Sequence, residues 1–256
     1  MNRAFFRFYA ALNDFLPPGR RQIDFSYQFT DRPSIKDMIE AIGVPHPEVD
    51  LILVNGKSVD FSYLVRPSDR ISVFPAFASL DITPPTQVRP QLPGQMRFVV
   101  DNHLGKLARY LRMLGFDTLY QNDYRDQDLA TLSGDEDRIL LTRDRGLLKR
   151  SAVIYGYCVR SINPQQQLLE VIRRFSLLEV SEPFRRCLRC NGLLELVAKE
   201  VVVEKLPLKV KEHYREFQLC RRCEQIYWKG IHYERMQQFI NMVVGQNSIG
   251  RRSFDD

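Results

Sequence analysis

The sequence predicts an α/β protein in three parts. Between residues 96 and 180, apolar strands alternate with amphipathic helices, which is typical of a parallel sheet whose strands are connected by helices. Before a Pro-rich stretch at 82–95, the order of elements is strand, strand, helix, strand, strand. After the alternating region come two Cys-x-x-Cys pairs, whose four thiolates are the usual ligand set of a structural zinc site and predict a zinc ribbon.

Residues 1–81 are predicted to form a β-grasp domain. Ser34 is placed to cap a short helix that Gly43 ends, and Asn55-Gly56 is a turn signal. Strands are expected around these elements, at 3–8, 21–29, 51–54 and 70–74. The segments VDLILVNGKSVDF and LVRPSDRISVFPAF resemble the ubiquitin-like sulfur-carrier proteins. Those carriers end in a free Gly-Gly tail that this chain lacks, so a scaffold role with a protein partner is favoured over sulfur transfer.

The alternating region is predicted to be a parallel sheet with helices on both faces. Leu104, Leu107, Leu111 and Leu114 share one face of the first helix. The lone Cys158 is interpreted as a buried strand residue. The predicted strands are 96–101, 116–120, 138–142 and 152–160, and the predicted helices are 104–115, 126–133, one starting at RGLLKR, and 164–177.

Several aspartates lie where the predicted strands end. Asp101 closes the first strand, Asp144 follows the third, and Asp126 and Asp128 open a helix. Because sites in open α/β sheets form at the carboxyl ends of the strands, these carboxylates are candidates to converge on magnesium or manganese, which prefer oxygen ligands. The alternative is that each is a helix cap or a first-turn charge.

Basic residues lie near these acids in the sequence. Lys106, Arg109 and Arg112 recur every third position on the polar side of the first helix, and Arg143 and Arg145 flank Asp144. Side chains of this kind hold sugar-phosphate backbones, so all five are candidate nucleic-acid contacts. A solvated helix face is the alternative interpretation.

The two cysteine pairs are Cys187/Cys190 and Cys220/Cys223. Short strands are expected between them, at 195–203 and 214–219, and redox pairs or disulfides are the alternative to zinc. Arginines surround both pairs, and the aromatic residues of Tyr227-Trp228-Lys229 either stack on bases or pack against the ribbon.

Composition favours an anionic partner. The formal net charge is +6 and the pI is about 9.1, which points first to nucleic acid. No apolar run approaches the roughly 18 to 20 residues of a membrane-spanning helix, so no membrane association is expected. Five cysteines, four of them in ligand-type pairs, suit a reducing cytoplasm.

The order of these motifs resembles the Mut-seven C-terminal RNase family. The resemblance rests on FVVDNHLGKLARYLRMLGFDTLY, DQDLATL and ILLTRDRGLLKR, followed by the cysteine pairs, IYWKG and HYERM. That family joins a PIN-like nuclease domain to a zinc ribbon, and many bacterial members carry a ubiquitin-like N-terminal domain. The predicted parts are the ubiquitin-like domain 1–81, linker 82–95, PIN-like domain 96–180, zinc ribbon 181–235, and C-terminal helix and tail 236–256.

The resemblance implies metal-dependent hydrolysis of RNA phosphodiester bonds. Asp101, Asp126 and Asp144 match the family's metal-binding acids. Related domains often place a further acid directly after the T-x-D turn, where this chain has Arg145, so Asp128 is the nearest substitute. Products with 5′-phosphate and 3′-hydroxyl ends are expected. The competing hypothesis is a non-catalytic adaptor that binds RNA or the ribosome through the ribbon and its basic faces.

Overall fold

The computed structural model of the chain describes residues 1–75, 88 and 91–252. Most of the predicted linker at 82–95, the segment 77–79 and the last four residues lie outside these described residues. The chain forms two compact units. The first comprises Met1–Asp101 with Tyr124–Cys158, and the second comprises Asn102–Asp123 with Val159–Asp256.

The first unit begins with a five-stranded sheet that carries one helix. Its strand order is β2-β1-β5-β3-β4, with β1 and β5 parallel and the other neighbours antiparallel. This is the predicted β-grasp arrangement. Its elements are β1 (Asn2–Phe8), β2 (Phe25–Phe29), α1 (Ile35–Ile42), β3 (Val49–Val54), β4 (Lys57–Val59) and β5 (Arg70–Pro75).

Local sequence signals account for most of these boundaries. The Ser34 hydroxyl accepts a hydrogen bond from the Asp37 backbone N–H at 3.1 Å, and Gly43 ends α1 at a φ of 122°, which side chains disfavour. The structure adds β4 after the Asn55-Gly56 turn. It also starts β2 at Phe25 rather than at residue 21, because residues 21–23 form a turn and a bend after a short 3-10 helix at Pro18–Arg20.

The remaining elements follow the predicted alternation of strands and helices. They are β6 (Arg97–Val100), α2 (Gly105–Met113), β7 (Asp117–Leu119), α3 (Asp126–Asp135), β8 (Ile139–Thr142), α4 (Arg145–Leu148), β9 (Gly156–Cys158), α5 (Pro164–Phe175), β10 (Leu194–Val197), α6 (Lys199–Val202), α7 (Leu208–His213), β11 (Phe217–Cys220), β12 (Ile226–Trp228) and α8 (Ile231–Arg252).

Parallel strands form the centre of the first unit's second sheet. Strand β8 pairs in parallel with β6 on one side and with β9 on the other. Such strands are buried on both faces and are therefore continuously apolar. Three consecutive residues in β6 and three in β8 have no solvent exposure, namely Phe98, Val99, Val100, Ile139, Leu140 and Leu141. The pairing brings the carboxyl ends of β6 and β8 side by side.

Helix α1 of the β-grasp domain and the 3-10 segment that follows it contact the region from α4 to β9 within this unit. The Cys158 backbone N–H donates to Glu48 Oε1 at 2.6 Å. His46 contacts the Val153 carbonyl through Nε2 at 2.8 Å, and Lys149 Nζ donates to the Glu40 carbonyl at 2.6 Å. The N-terminal domain is therefore part of the same compact unit as β8 and β9.

The second unit is organised around a buried arginine on α2. Arg112 is 5 % exposed, and its guanidinium donates to the carbonyls of Thr118 at 2.9 Å, Leu188 at 3.3 Å and Arg189 at 3.0 Å. The prediction of Arg112 as an RNA contact is therefore wrong, and so is the alternative that it lies on a solvated helix face. Its guanidinium instead donates hydrogen bonds to backbone carbonyls next to the first cysteine pair.

The ribbon is a three-stranded antiparallel sheet in the order β10-β11-β12. Its third strand was not predicted. The predicted strand 195–203 ends at Val197, because residues from Lys199 form a short helix whose Val202 is buried in the ribbon core. Helix α8 begins at Ile231, earlier than the predicted C-terminal helix. Among the described residues, no helix combines the length and apolar character that a membrane crossing requires.

Replacing the buried arginine should destabilise the second unit. We expect Arg112→Met to lower the free energy of unfolding by about 3 kcal/mol, because buried carbonyls lose a charged donor. Denaturant titration would measure the change. Arg173→Met, on an exposed face of α5, is the matched control and should change the free energy by less than about 0.5 kcal/mol. Equal effects of the two substitutions would contradict this role of Arg112.

Candidate active site and four-cysteine metal site

Asp101 and Thr142 form the buried part of the acidic site. Asp101 follows β6, is 8 % exposed, and donates its backbone N–H to the Leu141 carbonyl at 3.0 Å. The Thr142 hydroxyl donates to Asp101 Oδ2 at 2.5 Å and accepts the Asp144 backbone N–H at 2.9 Å. One hydroxyl therefore connects the acid after β6 with the acid after β8.

Asp144 also caps the short helix α4. Its Oδ1 accepts hydrogen bonds from the backbone N–H groups of Gly146 at 2.6 Å and Leu147 at 3.3 Å. The alternative interpretation of Asp144 as a helix cap is thus part of its structure. A cap and a metal ligand are compatible roles, because a carboxylate has two oxygens with several acceptor positions.

Asp126 and Asp128 occupy the first turn of α3 as predicted. Asp126 is exposed, and its Oδ2 lies 3.7 Å from Arg150 Nη2. Asp128 accepts hydrogen bonds from the Arg125 side chain and backbone N–H, and these bonds lower the pKa of Asp128. The carboxylate proposed as an additional acid therefore pairs with the arginine that precedes the helix.

The three candidate metal-binding aspartates belong to the first unit but do not form a tight cluster. Among the described residues, the one group of acidic, histidine or cysteine side chains whose ligand atoms all lie within 4.8 Å of one another is the cysteine group. Magnesium commonly binds through one or two carboxylates and several waters. Asp101, Asp126 and Asp144 each offer the carboxylate oxygens that magnesium and manganese prefer.

The residues predicted to contact RNA differ in their exposure and in their hydrogen-bond partners. Lys106, Arg109 and Arg143 are exposed. Arg145 donates to the carbonyls of Phe15 at 3.1 Å and Asp14 at 3.3 Å, and its guanidinium lies 5.0 Å from the centre of the Phe15 ring. The sequence does not indicate this contact of Arg145 with the N-terminal domain, since its partners are backbone carbonyls about 130 positions away.

The four paired cysteines meet at one point in the second unit. The Sγ atoms of Cys187 and Cys223 are 3.6 Å apart, and those of Cys190 and Cys220 are 3.3 Å apart. A disulfide needs about 2.05 Å, whereas tetrahedral zinc with bonds of 2.3 Å spaces its sulfurs by about 3.8 Å. All four are free thiols, so the cluster could bind zinc.

The Tyr227 hydroxyl contributes to the cysteine site. Burial raises the pKa of the Cys187 thiol, but hydrogen bonds from the Tyr227 hydroxyl and nearby backbone N–H groups outweigh burial and lower the pKa to about 7. Burial raises the pKa of the other three thiols. The Leu188 backbone N–H donates to the Tyr227 oxygen at 3.0 Å. The roles of this hydroxyl and of the Thr142 hydroxyl were not predicted from the sequence, although the T-x-D motif contains that threonine.

Metal removal should unfold the ribbon. A structural zinc ion supplies folding energy to a small sheet of this kind, so we expect chelation to expose Trp228 and shift its fluorescence to longer wavelength. The metal content of Cys190→Ser should fall in parallel. Cys158→Ala is the control, because Cys158 lies in β9 outside the cluster. An unchanged metal content in Cys190→Ser would contradict the assignment.

Comparison with known proteins gives the family of the chain. A model of the Mut7-C RNAse domain matches residues 96–240, and a model of the Mut7-C ubiquitin domain matches residues 1–81. The Homo sapiens protein named "Exonuclease mut-7 homolog" is 36 % identical over 109 residues, which cover 40 % of this chain and 12 % of that protein. The match thus spans about an eighth of that relative's length.

No solved structure is significantly similar to the chain. The RNase-domain match covers more than half of the chain, and the fold described above contains the parts that the two models name. The chain therefore belongs to the Mut7-C RNAse domain family.

Proposed function

We propose that this chain is a metal-dependent ribonuclease that hydrolyses RNA phosphodiester bonds. The observation that carries the proposal is the link through Thr142 between Asp101 and Asp144, at the carboxyl ends of adjacent parallel strands. This is the edge where α/β sheets place their sites. Membership of a nuclease family and the nuclease name of the human relative support the same activity.

In this proposal, Asp101, Asp126 and Asp144 hold magnesium or manganese. Such an ion activates water and neutralises the charge that develops on the phosphate. Residues of the chain orient two of these carboxylates. The Thr142 hydroxyl donates a hydrogen bond to the Asp101 carboxylate, and the first turn of α4 donates one to the Asp144 carboxylate. Side chains held in this way lose little further freedom when a ligand binds.

The basic residues would attract and hold the RNA backbone. Lys106, Arg109 and Arg143 remain exposed for phosphate contacts, and the net charge of +6 favours association with polyanions. Zinc in the four-cysteine site would stabilise the ribbon and take no part in the chemistry.

The second candidate function is a non-catalytic RNA- or ribosome-binding adaptor. One set of observations favours it: Asp144 caps α4, Asp128 pairs with Arg125, and Asp126 lies near Arg150. Each of these acids therefore has a structural role that requires no metal ion. Binding without cleavage would be the activity of such an adaptor.

The first test is cleavage of labelled single-stranded, hairpin and transfer RNAs with magnesium, with manganese and with EDTA. We expect metal-dependent cleavage by the wild type and a loss of about a hundredfold or more in Asp101→Asn. The substitution removes the charge, but the amide oxygen can still accept the bond from Thr142. Asp137→Asn, at an exposed turn with a φ of 49°, makes the same chemical change outside the site and should cleave normally.

RNA retention by a wild-type protein that does not cleave would favour the adaptor. Equal cleavage by wild type and Asp101→Asn would indicate a contaminating nuclease and would leave the site assignment without support.

A second test separates the two roles of Asp144. Asparagine caps helices about as well as aspartate, so Asp144→Asn should keep the free energy of unfolding within about 0.5 kcal/mol while RNA cleavage falls. Asp144→Ala should lose about 1 kcal/mol of stability as well. Thermal unfolding and the cleavage assay together measure both effects. Full activity in Asp144→Asn would reduce Asp144 to a structural cap.

A further inference from the structure

A groove in the second unit lies among α2, β12 and the start of α8. Its cavity volume is about 640 Å³, within the range of roughly 300–1,000 Å³ that sites for small ligands and cofactors occupy. None of its lining residues is one of the proposed metal-binding aspartates. The proposed catalytic chemistry therefore gives no account of it.

Aromatic rings form much of the wall of this groove. Tyr110 and Phe239 stack with their ring centres 4.7 Å apart, and Tyr227 and Trp228 come from β12. Tyr233 completes the aromatic set. Aromatic side chains at a protein surface are the platforms on which unpaired bases stack, which contributes about 1–3 kcal/mol per base.

The tyrosine and tryptophan of β12 are held firmly in place. The Tyr227 hydroxyl lies 3.2 Å from the Cys187 Sγ atom and accepts the Leu188 backbone N–H. A Cβ atom built on Gly230 would lie 2.8 Å from Trp228 Nε1, so the indole packs directly against that glycine. Rings fixed in this way lose little entropy when a ligand stacks on them.

The charge of the groove is uniformly basic. Lys106 and Arg109 contribute positive charge from α2, and Arg235 contributes it from α8, whereas no lining residue is acidic. The two α2 residues are exposed and have no ion pair among the described salt bridges. Cations beside aromatic rings match the two parts of a nucleotide, the phosphate and the base.

We propose that this groove binds an unpaired nucleotide of single-stranded RNA. The base lies against the aromatic wall, and the flanking phosphates contact Lys106, Arg109 and Arg235. The inference rests on the proposed RNA substrate and adds to it a requirement for unpaired bases, since the stacking faces of a duplex are already covered. It assigns a binding role to the ribbon beyond stabilisation.

The chain contains a single tryptophan, and it lines this groove, so its fluorescence reports on occupancy. The experiment titrates a short single-stranded oligoadenylate into the full-length Asp101→Asn protein, which removes cleavage from the measurement. We expect quenching of Trp228 that saturates with binding, together with a rise in fluorescence anisotropy when the same RNA is labelled. Perfectly paired duplex RNA should quench far less.

Arg109→Ala, made in the Asp101→Asn protein, tests the phosphate contact. We expect binding to weaken about tenfold, as loss of a charged hydrogen bond predicts, and the slope of log K against log salt to fall by about one. Arg173→Ala is the matched control, because it removes the same charge from an exposed helix face outside the groove. It should change neither quantity by more than about twofold.

Each outcome separates this inference from the proposed nuclease. Three results would overturn the proposal that the groove binds an unpaired nucleotide. They are a rise in anisotropy without quenching of Trp228, equal effects of Arg109→Ala and Arg173→Ala, and equal binding of duplex RNA. Quenching in a protein whose wild type does not cleave RNA would support the groove and overturn the nuclease. If the wild type cleaves RNA and Arg109→Ala has an unchanged KM, the nuclease activity would be supported and nucleotide binding in the groove would be rejected.

Discussion

The parallel pairing of β6 with β8 is the constraint on which the acidic site depends. All of β8 and Phe98–Val100 of β6 are buried, so the register of the two strands is set by the core that they form. Parallel strands end on the same edge, and this places Asp101 beside Thr142. The Thr142 hydroxyl, which can donate one bond and accept others, then holds both the Asp101 carboxylate and the Asp144 backbone. A change of register would separate these groups.

The N-terminal domain contacts the same region of the first unit. Arg145, the residue directly after Asp144, donates to the Asp14 and Phe15 carbonyls. The buried Glu48 carboxylate accepts the Cys158 backbone N–H in the neighbouring strand. The β-grasp domain thus supports the chain segment that follows β8, which gives it a structural role in this protein beside any role in partner binding.

In the second unit, polar groups connect α2 to the ribbon. Arg112 donates to backbone carbonyls beside the first cysteine pair, and the Asn191 side chain accepts the Thr118 backbone N–H at 2.9 Å. These buried hydrogen bonds are directional, so they orient the first cysteine pair relative to α2 and β7 as apolar packing alone would not. The groove that we propose as a nucleotide site forms where α2, β12 and α8 meet, and its shape depends on this orientation.

The β-grasp order, the alternating strands and helices and the cysteine ligand set could be predicted from the sequence, because hydrophobic period, turn residues and ligand spacing are local signals. The family was indicated by the resemblance of the motif order. The same local signals placed Asp101 and Asp144 at strand ends. Three features could be seen only in the folded chain: Arg112 is buried, Arg145 contacts the N-terminal domain, and α6 forms where part of a strand was predicted. These outcomes depend on partners distant in sequence, chiefly backbone carbonyls, which any residue can supply and no pattern of side chains reveals.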